Sequence, residues 1–336
     1  MAVRPRSSLP VNSRRSLQTS TDALLLLMIL IWAANYSIVK IALREIPPLG
    51  FNSLRLALAS LCFLASLAFA RERLPRTAGS APAASRPALR WFATAHTISR
   101  RDWVAIAAFG VLGHFVYQLC FMGGLARTTV SNVSLILGCS PVAVTLLSAA
   151  VGHERVALRH WAGAFLSLAG IYLLAGRGAT LSQSTLAGDA LCLAAVACWA
   201  IYTVGSRPLL ERHSPLTVTG LSMAIGTVLY VPFGLADLRA LDLGAVSAAS
   251  WLSLAFSAVF ALFLAYLIWY TSVQRVGNVR TSVFSNVLPL LSIAIAAVWL
   301  GEQVTLGELG GAAAILAGVA LTRTGRTDAA ARPPEE

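Results

Sequence analysis

Apolar residues in this chain come in long unbroken runs, not in the stripes of a water-facing helix or the alternation of a half-buried strand. A window of bilayer-spanning length, about 20 residues, finds such runs at 23–43, 50–70, 103–123, 129–151, 159–176, 187–206, 217–235, 251–272, 280–300 and 305–322. They predict ten transmembrane helices and an all-α integral membrane protein, because lipid leaves each backbone group to be satisfied inside its own helix. With 57% hydrophobic and 12% charged residues, against roughly 25% charged in a soluble domain, no room remains for a soluble catalytic domain.

The formal charge of +12 would suggest a nucleic-acid partner in a soluble protein. Its distribution excludes that reading. With the amino terminus placed in the cytoplasm, twenty Arg fall in inside segments, while only Arg44, Arg127, Arg177 and Arg239 fall outside. The positive-inside bias therefore sets both termini in the cytoplasm, and the basic excess is a matter of topology. The connector 71–102, rich in Arg, Pro, Ala and Ser, is expected to be a mobile cytoplasmic loop, and residues 1–20 and 324–336 to be cytoplasmic tails. Cys62, Cys120, Cys139, Cys192 and Cys198 all fall within spans without ligand spacing, so neither a metal nor a disulfide framework is called for.

Displaced by 167 positions, the sequence pairs Asp22 with Asp189, Trp32 with Trp199, Lys40 with Arg207, Pro48 with Pro215 and Leu54 with Leu221. Beyond the long connector the displacement is 148, and Trp103 meets Trp251, Phe115 meets Phe263, Arg127 meets Arg275, Pro141 meets Pro289 and Glu154 meets Glu302. One five-helix unit thus occurs twice, at 21–178 and 186–323. An odd number of spans forces the second copy to enter the membrane from the other side, which predicts two inverted five-helix repeats, an arrangement common in transporters.

These residues resemble the EamA-type members of the drug/metabolite transporter superfamily. The likeness rests on Trp32-Ala-Ala-Asn35 with Lys40, on Pro48 followed by Leu54-Arg55, on Pro141 and Pro289, on Glu154 and Leu300-Gly301-Glu302, and on Gly163, Gly170, Gly311 and Gly318. Ala33 stands where the family often has Gly, and Gly152-His153 precedes Glu154 where Leu-Gly is usual. The resemblance implies ten helices in two units and a multi-pass carrier of small metabolites, with no cofactor. The near absence of Lys and the abundance of Ala point to a GC-rich bacterial genome and so to the inner membrane.

A proline within a span removes one backbone hydrogen bond and frees a carbonyl, so Pro141 and Pro289 mark the expected depth of a substrate cavity. Ser140, Ser285 and Asn286 lie beside them. Helix-like spacing sets His114, Tyr117, Gln118 and Phe121 on one face, and Tyr266, Trp269 and Tyr270 on another. Trp32, Asn35 and Tyr36 with Trp199 and Tyr202 complete the candidate lining. Lys40 and Arg55 are the cations within the spans: Lys40 is expected to snorkel to an interface and Arg55 to hold a structural hydrogen bond. Glu154 and Glu302 fall at helix ends, where a carboxylate suits a helix amino terminus or ties a loop. No Asp or Glu sits near mid-span, so coupling through a buried carboxylate is not expected; His114 is the alternative proton carrier. The glycines of the last span, Gly307, Gly310, Gly311 and Gly318, are expected to pack inside the molecule, with a homodimer face as the other possibility.

The expectation is a secondary transporter, exporting small solutes such as amino acids, whose partners are the solute and the lipid bilayer. A membrane sensor or scaffold without transport is an alternative, as is a sugar-phosphate or nucleotide-sugar exchanger, which would want several cavity cations. An intramembrane enzyme would need matched catalytic groups that the spans lack.

Overall fold

The computed structural model describes residues 11–73, 97–151, 183–276 and 288–323, with residues 162, 163, 165, 166, 169, 170, 281 and 285 between them. Among the described residues there is no strand. The helices are α1 (Val11–Ala42), α2 (Pro48–Arg73), α3 (Arg100–Arg127) and α4 (Val130–Ala150). They continue with α5 (Gln183–Arg212), α6 (Pro215–Ala240), α7 (Ala248–Arg275), α8 (Leu288–Leu300) and α9 (Leu306–Arg323). Seven of them, α1 to α7, hold a stretch long and apolar enough to cross a membrane, in α1 from Thr21 onward; α8 and α9 hold the shorter apolar helices Leu291–Leu300 and Leu309–Gly318. Most of the expected span 159–176 and of the connector 71–102 lies outside the described residues. Because α1 begins at Val11, the second half of the expected tail 1–20 is helical.

The helix starts follow from local chemistry. Ser99 caps α3, and Asp102 answers from the first turn: Asp102 N–H donates to Ser99 Oγ at 3.1 Å, and Ser99 Oγ–H to Asp102 Oδ2 at 2.8 Å. Ser214 caps α6 ahead of Pro215, and Ser247 caps α7. At α4 the cap Thr129 is joined by Glu302, whose carboxylate accepts the N–H groups of Val130 at 3.0 Å and Ser131 at 3.2 Å. That places a negative charge where the helix dipole and its unpaired donors favour one.

Polarity runs inside out relative to a soluble protein. Val298, Val228 and Leu252 are 80%, 73% and 70% exposed, while Asn52, Arg55, His114 and Gln118 are buried. A surface of aliphatic side chains around polar interior positions suits lipid on the outside. The most extensive packing joins α2 to α6, two 26-residue helices that start at Pro48 and Pro215. Midway along this seam Ser60 and Thr227 share a hydrogen bond of 2.7 Å. These two residues are 167 apart, the displacement that superposes the two halves of the sequence.

α3 and α7 each widen into a π-helical segment, Gly110–Val116 and Ser257–Leu264. The segments coincide under the displacement of 148, ending at Val116 and Leu264. Close approach of α6 accommodates the first: a side chain in place of Gly226 would collide with the Cβ of His114 and the carbonyl of Gly110. Gly163, Gly170, Gly311 and Gly318 are buried, whereas Gly310 stands beside open space, so not every glycine of the last helix packs inside.

Candidate functional site

α1, α5 and α7 bring three indoles together. The ring centres of Trp32 and Trp199 are 5.8 Å apart, those of Trp32 and Trp269 5.6 Å, and those of Trp199 and Trp269 5.4 Å. Trp32 and Trp199 are again 167 apart in sequence. Tyr266 lies edge-on to both of them, at 6.1 and 5.6 Å. The indole N–H of Trp32 donates to the carbonyl of Ala261 at 3.0 Å, inside the second π segment, where the i to i+5 pattern departs from regular helical pairing.

A cavity of about 70 Å³ lies against this cluster. Its wall includes Trp32, Asn35, Tyr36, Tyr117, Gln118, Ser140, Trp199, Tyr266, Trp269 and Ser285, with Arg55, Phe121, Leu137, Gly138, Ala261, Leu262 and Leu288. Tyr117 and Phe121 stack in parallel at 5.9 Å, and Tyr36 leans on Phe121 at 5.9 Å. None of the lining residues is acidic, and Arg55 is the one that carries a formal charge.

Arg55 is 1% exposed. Its Nη2 donates to Oε1 of Gln118 at 2.6 Å and its Nη1 to Oγ of Ser257 at 3.1 Å. Its guanidinium carbon lies 5.7 Å from the ring centre of Phe121. Among the described residues, three fully buried polar atoms of the wall have no hydrogen-bond partner: Nε of Arg55, Oδ1 of Asn35 and Nε1 of Trp269.

Proline chemistry shapes the opposite wall. α4 is interrupted at Gly138 and Cys139, and Pro141 opens its second half. Pro141 cannot donate to the carbonyl of Leu137; Ser140 does so in its place, its hydroxyl donating at 2.6 Å. The hydroxyl proton of Ser140 is thus committed to its own helix. A Cβ at Gly138 would stand 2.5 Å from Cγ of Pro289, so the proline of α8 packs onto the glycine at the break in α4, beside the cavity.

Two expected lining residues belong elsewhere. His114 is 0% exposed and absent from the cavity wall: its Nε2 pairs with the Tyr202 hydroxyl at 3.2 Å, which in turn meets Ser222 Oγ at 3.0 Å. His114 lies within the π segment, where the N–H of Tyr117 reaches back to Leu112, so regular α-helical spacing does not hold at its position. Tyr202, on the side of α5 turned toward α3 and α6, lines that second polar layer. Lys40 is held at a helix end: its Nζ donates to the carbonyls of Leu125 and Thr128, both at 2.6 Å, closing the carboxyl end of α3. Asn286 and Glu154 lie outside the described residues.

Arg55 holds the structural hydrogen bonds expected of it and in addition lines the cavity, which helical spacing did not indicate. Its signal was available: an Arg within a span whose counterpart 167 positions on is the uncharged Ser222, a charge that topology does not explain.

The EamA-like transporter family model matches residues 19–176 and again 186–324, so the chain belongs to the EamA-like transporter family. It is 28% identical over 313 residues to a protein of Archaeoglobus fulgidus named "Uncharacterized transporter", covering 91% of this chain and 98% of that one. It is also 28% identical over 311 residues to a "Probable amino-acid metabolite efflux pump" of Salmonella typhimurium, covering 88% and 92% of the two chains. The protein of the same name from Escherichia coli is 25% identical over 312 residues, covering 88% and 92%. A solved crystal structure superposes with a TM-score of 0.60 at 19% identity, over 91% of this chain and 96% of the other, a likeness of fold alone. The chain is a multi-pass membrane protein of a transporter family.

Proposed function

We propose that this protein is a secondary transporter that exports small metabolites, amino acids among them, by alternating access between two inverted five-helix repeats. The carrying observation is the cavity at the seam between the halves, walled by indoles, phenols and amides, with one buried cation and no acid among the described residues. Such a wall offers apolar contact and a few orienting hydrogen bonds, the usual character of a small-molecule site.

The inverted arrangement draws support from three sources. The family model matches twice. The π segments recur at corresponding positions. Two contacts, Ser60 with Thr227 and Trp32 with Trp199, join a residue to its own counterpart, as a two-fold relation between copies requires. Ten spans, both termini in the cytoplasm and a bacterial inner membrane complete the reading. The relatives named as efflux pumps favour export and an amino-acid-like solute. A single lining cation gives no support to a sugar-phosphate exchanger, which needs several.

Counterflow of radiolabelled metabolites into proteoliposomes tests the proposal. The wild-type protein is expected to exchange at least one solute, and Gln118→Ala, which strips Arg55 of its 2.6 Å partner, to lower that flux roughly tenfold with the protein still monodisperse. If no solute of a broad panel exchanges, the transport reading fails.

A further inference from the structure

We propose that a second cavity, between the carboxyl end of α1 and the turn joining α8 to α9, binds the phosphate group of an anionic phospholipid through Lys40 and Arg44. This cavity, of about 300 Å³, shares no lining residue with the one walled by the indoles. Its wall sets Lys40, Arg44 and Glu302 among the apolar Leu43, Pro48 and Leu300.

The three charged groups of the wall are not answered alike. The Glu302 carboxylate is met from within the chain: it accepts the N–H groups of Val130 and Ser131 and the Ser131 hydroxyl, at 3.0, 3.2 and 3.0 Å, at the positive end of the α4 dipole. Lys40 gives two of its donors to neutral carbonyls, those of Leu125 and Thr128, which leaves one N–H of the ammonium. Arg44 is exposed. Among the described residues the ion pairs join Arg207 to Glu211, and Arg212 and His213 to Asp102, so neither Lys40 nor Arg44 has an acidic partner. The cavity therefore holds two cations without a counter-ion, beside one acid that a helix end already neutralises.

Its surroundings place it at the level of lipid headgroups. Leu300 of the wall follows Trp299 and Val298, which are 55% and 80% exposed, and Leu306 at the start of α9 is 88% exposed. An exposed indole at the end of an apolar helix, with basic side chains beside it, is the composition of a bilayer interface, and basic pockets between spanning helices suit anionic headgroups. A guanidinium and an ammonium both recognise phosphate oxygens, the first as a planar fork and the second as a point charge. Leu43, Pro48 and Leu300 offer apolar surface to the chains that follow the phosphate. An ethanolamine or choline headgroup would bring a cation of its own toward Lys40 and Arg44, with Glu302 committed to α4; a glycerol headgroup brings none. The wall draws on both stretches matched by the family model, so the lipid would bridge the two halves at this end.

Native mass spectrometry of the full chain, purified in detergent and incubated with equimolar dioleoyl phosphatidylglycerol, phosphatidylethanolamine and phosphatidylcholine, tests the proposal. A last phosphatidylglycerol is expected to stay bound with roughly tenfold preference over either zwitterionic lipid. Arg44→Gln, at an exposed position where no fold-holding contact is lost, should remove most of that preference, and Arg44→Lys should keep most of it. Lys40→Gln should act as Arg44→Gln does. Arg239→Gln, at the same end but outside the cavity wall, should leave the preference unchanged. Equal retention of the three lipids by the wild-type protein overturns the proposal without any variant having to fold. A phosphatidylglycerol adduct undiminished in Arg44→Gln places the lipid elsewhere and overturns the site. Displacement of the lipid by millimolar inorganic phosphate, with phosphate bound in its stead, makes this a site for a free anion and overturns the lipid. The transport reading stands or falls separately, on solute exchange.

Discussion

The two ends of the bundle are tied at corresponding positions by different chemistry. α3 is 28 residues long, about 42 Å, so its start at Asp102 and its finish near Lys40 are at opposite ends. At the first end Arg212 of α5 and Asp102 of α3 pair at 2.6 Å; His213 adds 3.2 Å to the other oxygen, and Ser99 caps the turn. At the second end, Glu45 after α1 accepts the backbone N–H of Ser247 at 2.8 Å, ahead of α7. Position 45 corresponds to 212 under the displacement of 167, and Ser99 and Asp102 correspond to Ser247 and Ser250 under 148. Duplication has preserved the place of the joint and exchanged its charges. One end closes on a buried acid with three side-chain partners; the other closes on an exposed carboxylate with neutral partners. A carrier whose ends part in turn would therefore meet unequal resistance at the two.

The largest expected effect comes from Asp102→Ala, which strips Arg212, His213 and Ser99 of a shared partner. The melting temperature of the detergent-purified protein should fall by roughly 5 °C; a fall no greater than that of Glu45→Gln would erase the contrast between the ends. Next come the caps. Each of Ser99→Ala and Ser247→Ala should cost about 1 kcal/mol, with Ser99→Ala the worse of the two because Asp102 also loses its 2.8 Å donor; paired denaturation curves check the order.

Smallest is Glu45→Gln, expected to shift melting by no more than about 2 °C near neutral pH. Its pH dependence sharpens the comparison. The backbone N–H of Ser247, with the hydroxyls of Ser250 and Ser247, holds the Glu45 carboxyl below its ordinary value of 4.5. A carboxyl lowered on folding adds stability above that ordinary value and loses it as pH falls through the lower, folded one. The gap between wild type and Glu45→Gln should be present at about pH 7 and shrink as the solution is acidified below the ordinary carboxylate value. A gap that widens in acid would mean that Glu45 is not held as described.

Seven helix positions were legible because hydropathy survives without any knowledge of packing, and the likeness of the two halves is itself a property of the sequence. The interruption of α4 was legible through Pro141, and most of the cavity wall through helical spacing. What spacing could not carry was the π geometry of residues 110–116, which leaves no compositional mark, or the pairing of His114 with Tyr202 on another helix. Burial depth was equally hidden. Arg55 reads as a cation near a span's beginning, and only the partners on α3 and α7, 63 and 202 residues away, show that it lies inside. The joint of Asp102, Arg212 and His213 has no signature in the sequence, since the pairing depends on how separate helices line up.

The bond between Ser60 and Thr227 has a consequence for the seam. A contact between a position and its own counterpart is the kind that two identical chains can make across a dyad. A half carrying that contact has, at this depth of the seam, a surface complementary to its own counterpart, whereas the rims, with Glu45 at one and Arg212 at the other, are complementary only to unlike partners.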